Sequence, residues 1–437
     1  MRGGRLTLGE GTALYIGGVL GPGVLALPAL AAAEAGPGSV VAWIGLLLLS
    51  VPVAASFAAL GARYPDGGGV ATFVARAFGS RAAACVGWWF YAAVPVGVLA
   101  GAMIGGQYVA EALGLGRGAG LAGAVLILAA AFAANHVGLQ LSGRVQLALC
   151  AVLVLLLVVA TVAAAPHLST GNFTPFMPGG WASVGSAAVV LFYAFSGWEA
   201  ASHLSAEFAD PKRHLARATG ITLGVVGVLY LSLSVVTVGV LGARAGTSEV
   251  PLMLLLERGV GPGARVVTAA AAVCLTFGAV NTFIAGAARL GAALGRDGVL
   301  PRWLAKGSGA GEVPRRSLLV QAVLTGALTA VVAVAGTELD PLMRVTSAFL
   351  AAVTAAGTAA AVALLPRRQP LWWAAVAAVG FTLVVLVFSG PLLALPLLVA
   401  AGALVFCRRR GQGTGRPDAA RASAASAPSA AADSPRS

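Results

Sequence analysis

The stretch Tyr15-Ile16-Gly17-Gly18-Val19-Leu20-Gly21-Pro22-Gly23-Val24-Leu25-Ala26-Leu27-Pro28 decides the fold. It lies inside the first long apolar run, residues 11–33, yet four glycines and a proline fall within residues 17–23. In a helix interior, glycine costs about 1 kcal/mol and proline about 3. A helix crossing a bilayer at this point is therefore expected to open near its middle. Backbone groups freed there cannot face lipid, so the break must face protein, water or a solute. A half-helix restarting near Gly23 would aim free N–H groups and the positive end of its dipole into the break. That arrangement suits a carboxylate. A glycine-lined packing face between helices is the competing explanation.

The rest of the chain supports a membrane setting. Of 437 residues, 59% are hydrophobic and only 10% are charged, with a mean hydropathy of +0.91. Soluble domains carry about a quarter charged residues. A soluble globular protein, a disordered chain and a coiled coil are excluded. The net charge of +13 would suggest nucleic acid in a soluble protein. Here the bases fall in short breaks between apolar runs, which reads as topology control at a membrane surface, with no nucleic-acid partner. The four cysteines, Cys85, Cys150, Cys274 and Cys407, lie in or beside apolar runs and read as small buried side chains. No metal-ligand spacing, phosphate-binding loop or cofactor motif is present, so neither a metal nor a cofactor is expected and ATP-driven transport is unsupported. No cleavable signal is expected, because the first apolar run is long and many others follow.

Twelve segments are long and apolar enough to cross a bilayer. They run at 11–33, 38–62, 81–113, 119–137, 145–165, 183–205, 217–242, 264–290, 316–335, 342–365, 371–388 and 391–406. With the N-terminus in the cytoplasm, Arg117, Arg244, Arg258, Arg265 and Arg344 fall outside and the other 23 of 28 bases fall inside. That asymmetry follows the positive-inside rule and places both termini in the cytoplasm. The expected organisation is a cytoplasmic N-terminus at 1–10, a first five-helix unit at 11–165, a second at 183–365, two further transmembrane helices at 371–406, and a disordered cytoplasmic tail at 407–437.

A second interruption falls in the sixth segment, at Phe192-Tyr193-Ala194-Phe195-Ser196-Gly197-Trp198-Glu199. Five spans separate the starts of the two interrupted segments. An odd number inverts the second unit, giving a five-plus-five inverted repeat with discontinuous helices one and six. A mid-membrane carboxylate costs roughly 3 kcal/mol or more, so Glu199 is a candidate coupling or gating group. A structural acid tying unwound backbone together is the competing reading. Carbonyls of Tyr193, Ala194 and Ser196 would suit an ammonium, while Phe195 and Trp198 would form a lid or pocket wall. Donors from one break and acceptors from the other match a zwitterionic α-amino acid.

Several motifs carry a family likeness. Gly21-Pro22-Gly23-Val24 with Pro28, Tyr64-Pro65-Asp66-Gly67-Gly68-Gly69 with Ala77-Phe78-Gly79, and Phe195-Ser196-Gly197-Trp198-Glu199 form one series. Glu207-Phe208-Ala209-Asp210-Pro211-Lys212-Arg213 and Arg289-Leu290 with Gly295-Arg296-Asp297-Gly298-Val299-Leu300-Pro301-Arg302-Trp303 complete it. Across residues 8–406 the chain resembles the amino acid–polyamine–organocation superfamily of secondary transporters. Gly68-Gly69-Val70-Ala71 through Arg81, Val94-Pro95-Val96-Gly97, and His203-Leu204-Ser205-Ala206-Glu207-Phe208 are most similar to bacterial exporters of methionine and branched-chain amino acids.

The resemblance implies an all-α membrane protein of the bacterial inner membrane. Its site would lie between helices one, three, six, eight and ten, with carboxylate at Gly21, Pro22 and Gly23 beside Leu20. Ammonium would meet the carbonyls of Val19, Tyr193 and Ser196. Pro22 departs from the Ser or Thr often found there and supplies neither N–H nor hydroxyl. The expected function is export of leucine, isoleucine, valine or methionine by alternating access, with a proton as candidate coupling ion. Uptake or exchange by a permease is the alternative, and a membrane amino acid sensor is the rival from another class. In this reading Arg144 anchors at the interface, Arg344 snorkels near Asp340, His203 packs, and Asn281 and Thr282 make interhelical hydrogen bonds. A proton-coupling role for Glu199 predicts that Glu199→Gln abolishes the pH dependence of transport, whereas unchanged pH dependence removes it as the proton carrier.

Overall fold

The computed structural model describes residues 7–64, 69–138, 143–195, 197–198, 210–307 and 312–413. Among these, every regular element is helical. Chain order gives α1 (Leu8–Val19), α2 (Leu27–Ala35), α3 (Ser39–Arg63), α4 (Val70–Phe78), α5 (Ser80–Ala112), α6 (Arg117–His136), α7 (Gly143–Ala164) and α8 (Gly180–Phe195). Then follow α9 (Pro211–Leu241), α10 (Pro251–Val260), α11 (Ala264–Arg296), α12 (Arg315–Ala335), α13 (Leu339–Leu364), α14 (Pro370–Phe388) and α15 (Ala394–Gly413). Thr7 starts α1 with a capping box, accepting from the Glu10 N–H at 3.4 Å while Glu10 accepts from the Thr7 N–H at 3.0 Å.

Ten helical runs among the described residues are long and apolar enough to span a bilayer. The first and sixth expected spans are the exceptions. The first is divided between α1 and α2, and α8 is a shorter apolar helix. The last helix runs on to Gly413, so residues 407–413, expected in the tail, continue it.

Two series of elements match in order and length. In the first, α3, the short α4, α5, α6 and α7 have 25, 9, 33, 20 and 22 residues. In the second, α9, the short α10, α11, α12 and α13 have 31, 10, 33, 21 and 26. Each series is preceded by one of the two exceptions. The pairs α3–α9 and α5–α11 also pack against each other.

The core is organised around α5, which packs on α11, α6, α13 and α15. Pro95 inside α5 cannot donate to the Tyr91 carbonyl four residues back. Gln321 of α12 supplies the missing bond, its Nε2 donating to Tyr91 O at 3.1 Å. On the outer surface, apolar side chains such as Leu155, Val162, Val334 and Leu398 are exposed, as expected where lipid is the solvent.

Charge separates by end. The bundle end where α1 begins carries Arg63, Arg76, Arg81, Arg289, Arg302, Lys306, Arg315 and Arg316. The far end carries paired arginines. Arg117 meets Glu338 at 2.7 Å, and Arg265 meets Glu111 at 3.0 Å.

Helices α5 and α6 approach closely because both present glycine. A Cβ built on Gly106 would overlap the carbonyl oxygen of Gly120, and one on Gly123 would lie 3.0 Å from Gly106 Cα. Gly106→Ala is expected to destabilise the bundle by roughly 1–3 kcal/mol through overpacking. Gly118→Ala, with nothing within 4 Å of the new methyl, should keep stability or raise it by up to about 1 kcal/mol. Thermal unfolding in detergent compares the two.

Candidate functional site

The first helix breaks where the glycines cluster. α1 stops at Val19, and the Leu20 N–H closes onto Ile16 O at 2.7 Å. Gly21 is extended, with φ −78° and ψ 172°. A single 3-10 turn, Pro22–Leu25, follows before α2 restarts at Leu27. Pro22 opens that turn, a position where a missing N–H costs nothing. Residues 22–27 are all buried.

Two buried tyrosines hold the carbonyls on either side of the break. Tyr230 of α9 donates its hydroxyl to Val19 O at 3.0 Å, and Tyr108 of α5 donates to Leu25 O at 2.7 Å. Both are 0% exposed. The sequence reading did not single them out. A tyrosine inside a span needs a partner for its hydroxyl, but the sequence does not say which carbonyl that will be.

The second interrupted segment crosses the first at this break. A Cβ on Gly23 would lie 2.8 Å from the Tyr193 ring, so only glycine admits that ring. A Cβ on Gly197 would lie 2.6 Å from both Gly18 O and Val19 Cα. Tyr193 also donates its hydroxyl to Gly97 O of α5 at 3.3 Å. Thr346 of α13 lies against Gly97, and Val280 of α11 and Pro22 lie beside Gly101. Helices α5, α11 and α13 thus wall the crossing.

The predicted residues fall as follows. Val19, Leu20, Pro22, Gly23 and Trp198 are buried, Gly21 and Tyr193 are partly so, and Phe195 ends α8. The structure brings Val19, Gly23 and Tyr193 together, with Gly197 linking Trp198 to the same crossing. Ser196, Glu199 and His203 lie outside the described residues. The Val19 carbonyl accepts from the Gly21 N–H at 2.9 Å as well as from Tyr230, so both its lone pairs are engaged. The Trp198 indole N–H is buried without a hydrogen-bond partner among the described residues.

Other polar groups in the spans bond between helices. Asn135 of α6 donates to Asn281 Oδ1 at 2.8 Å, and Gln146 of α7 donates to Thr282 at 2.9 Å. Arg344 does not simply snorkel. Its side chain is 16% exposed and pairs with both Glu34 and Asp340. Among the described residues no charged residue belongs to the buried class, and no cluster of three or more metal-ligating side chains occurs. An apolar cleft of about 380 Å³ lies between α1 and α7, lined by residues that include Ile16 and Cys150. At the crossing the Tyr193 ring packs directly against Gly23.

The Amino acid permease family model matches residues 7–405. The chain therefore belongs to the amino acid permeases of the amino acid–polyamine–organocation superfamily, which are membrane transporters and not enzymes. It is 33% identical to the uncharacterized amino acid permease YecA of Bacillus subtilis, over 92% of this chain and 95% of that protein. It is also 33% identical to the L-methionine/branched-chain amino acid exporter YjeH of Escherichia coli, over 65% of this chain and 69% of that protein. The branched-chain amino acid permease BcaP of Bacillus subtilis is 29% identical, over 68% of both chains.

Substitutions separate the roles at the crossing. Nothing lies within 4 Å of a Cβ at Gly21, so Gly21→Leu should fold yet abolish transport by filling the break. Tyr230→Phe removes one of two donors to the Val19 carbonyl, which keeps the Gly21 N–H, and should cost roughly 0.5–1.5 kcal/mol in unfolding free energy. Full transport in Gly21→Leu would remove the break as the solute site.

Proposed function

We propose that this permease exports neutral hydrophobic amino acids of the leucine, isoleucine, valine and methionine class by alternating access. One observation carries the substrate class: the crossing is walled by Pro22, Tyr193, Val280 and Thr346, and no described charged residue is buried. An acidic or cationic side chain brought there would be desolvated without a described partner, which is costly. An apolar side chain is not penalised in this way.

In this reading the carboxylate binds at Gly21, Pro22 and Gly23, next to the start of α2. The ammonium binds the carbonyls of Tyr193 and Ser196. Val19 O serves as a third acceptor only once Tyr230 or Gly21 releases it. The Trp198 indole N–H is an additional buried donor. Glu199 couples binding to a proton. The matched element series support a twelve-span bundle with the five-plus-five inverted repeat. Charge segregation supports a bacterial inner-membrane protein with both termini in the cytoplasm.

Direction is the open half of the reading, since YjeH bears the name of an exporter and BcaP that of a permease. Proteoliposomes loaded with labelled leucine or methionine, with and without a pH gradient, separate the cases. Saturable release accelerated by inward proton movement is the outcome expected of a proton-coupled exporter. Release that requires amino acid on the opposite side would instead establish an exchanger.

A further inference from the structure

Four groups meet at the far end of the bundle. Glu34 is the next-to-last residue of α2, Ser186 lies in the second turn of α8, and Asp340 and Arg344 lie in the first turns of α13. The Arg344 guanidinium joins them. Nη2 is 2.7 Å from Glu34 Oε1, Nε is 2.7 Å from Asp340 Oδ2, and Nη1 donates to Ser186 Oγ at 3.0 Å. Ser186 Oγ in turn donates to Glu34 Oε2 at 2.6 Å.

The elements joined are those that meet above the crossing. α2 continues from the break of helix one and α8 carries Tyr193. α13 places Thr346 against Gly97, two residues along from Arg344. At 1.5 Å per residue, Ser186 stands roughly 10 Å along α8 from Tyr193. A path from the far end to the crossing between these helices must part them, and the knot must then open.

Its composition suits reversible opening. The side chains of Arg344, Asp340 and Glu34 are 16%, 29% and 33% exposed. They are dry enough for the pairing to matter and wet enough for each charge to be hydrated when parted. Asp340 and Arg344 sit on the same helix at i and i+4, so that bond survives separation of the helices. Arg344 is never left without a partner. The bonds that break are those to Glu34 and Ser186. α2 has nine residues and is set off from α1 by the break, so it can move as a unit.

We propose that Glu34, Ser186, Asp340 and Arg344 form an ionic lock that holds the far end of the transport path shut. It is made in the state described and broken when that end opens. The proposal rests on the crossing being the solute site and on the far end facing outward.

The reporter is Ser347, one turn along α13 from Arg344, buried, with no hydrogen-bond partner for its hydroxyl among the described residues. Ser347→Cys is placed in a full-length background lacking Cys85, Cys150, Cys274 and Cys407. Its modification by a membrane-impermeant cationic methanethiosulfonate is timed in right-side-out and inside-out vesicles. Weakening the lock shifts the population toward the outward-open state. Glu34→Gln and Arg344→Gln are expected to speed labelling from outside by about tenfold, and Arg344→Lys, which keeps the charge, by much less. Unchanged rates in both neutralised variants, with leucine flux retained, overturn the lock. Acceleration seen only in inside-out vesicles keeps the lock and reverses the assigned orientation. Acceleration without leucine flux in the parent keeps the lock and overturns the transport reading.

Discussion

Inside a hydrocarbon layer the backbone has no water to bond, and every interruption of a spanning helix must find its partners in protein. Much of this molecule is arranged around that demand. The break after Val19 is tolerable because Tyr230 and Tyr108 reach its carbonyls from α9 and α5. The proline inside α5, Pro95, is tolerable because Gln321 reaches Tyr91 O from α12. In each case the irregular backbone lies where another helix can deliver a donor.

The same demand places the candidate site. Unwound backbone is costly in lipid and useful to a solute, so the break serves as a solute site only where it is screened from lipid and reachable from water. Helices α5, α11 and α13 provide the screen around Pro22, Gly23 and Tyr193. The fit is tight enough that Gly23 and Gly197 have no room for a methyl group. A side chain at either position would push the two interrupted segments apart.

Charge obeys a different constraint and is managed at the two ends. Where α1 begins, the arginines are numerous, mostly in short connections and helix termini. At the far end they are few, and three of the five, Arg117, Arg265 and Arg344, are each held by two acids. Numbers set orientation in a bilayer. Pairing sets which helices are held together at the far end.

By itself the sequence determined the membrane class and the place of the first break, and ten of its apolar runs coincide with described helices long enough to cross a bilayer. These follow from local causes: apolar runs longer than a bilayer is thick, and a glycine–proline cluster that no helix interior accommodates cheaply. The motifs also carried enough to indicate the family. For Arg344 the sequence pointed to the neighbouring Asp340, one turn away, but not to Glu34 and Ser186, which are 310 and 158 residues away along the chain. Tyr108 and Tyr230 were not singled out for the same reason, and the occupied state of the Val19 carbonyl was invisible. Only the tertiary structure decided those points, since a hydrogen bond between distant segments depends on how the helices pack, and periodicity along one helix does not record which neighbour it meets.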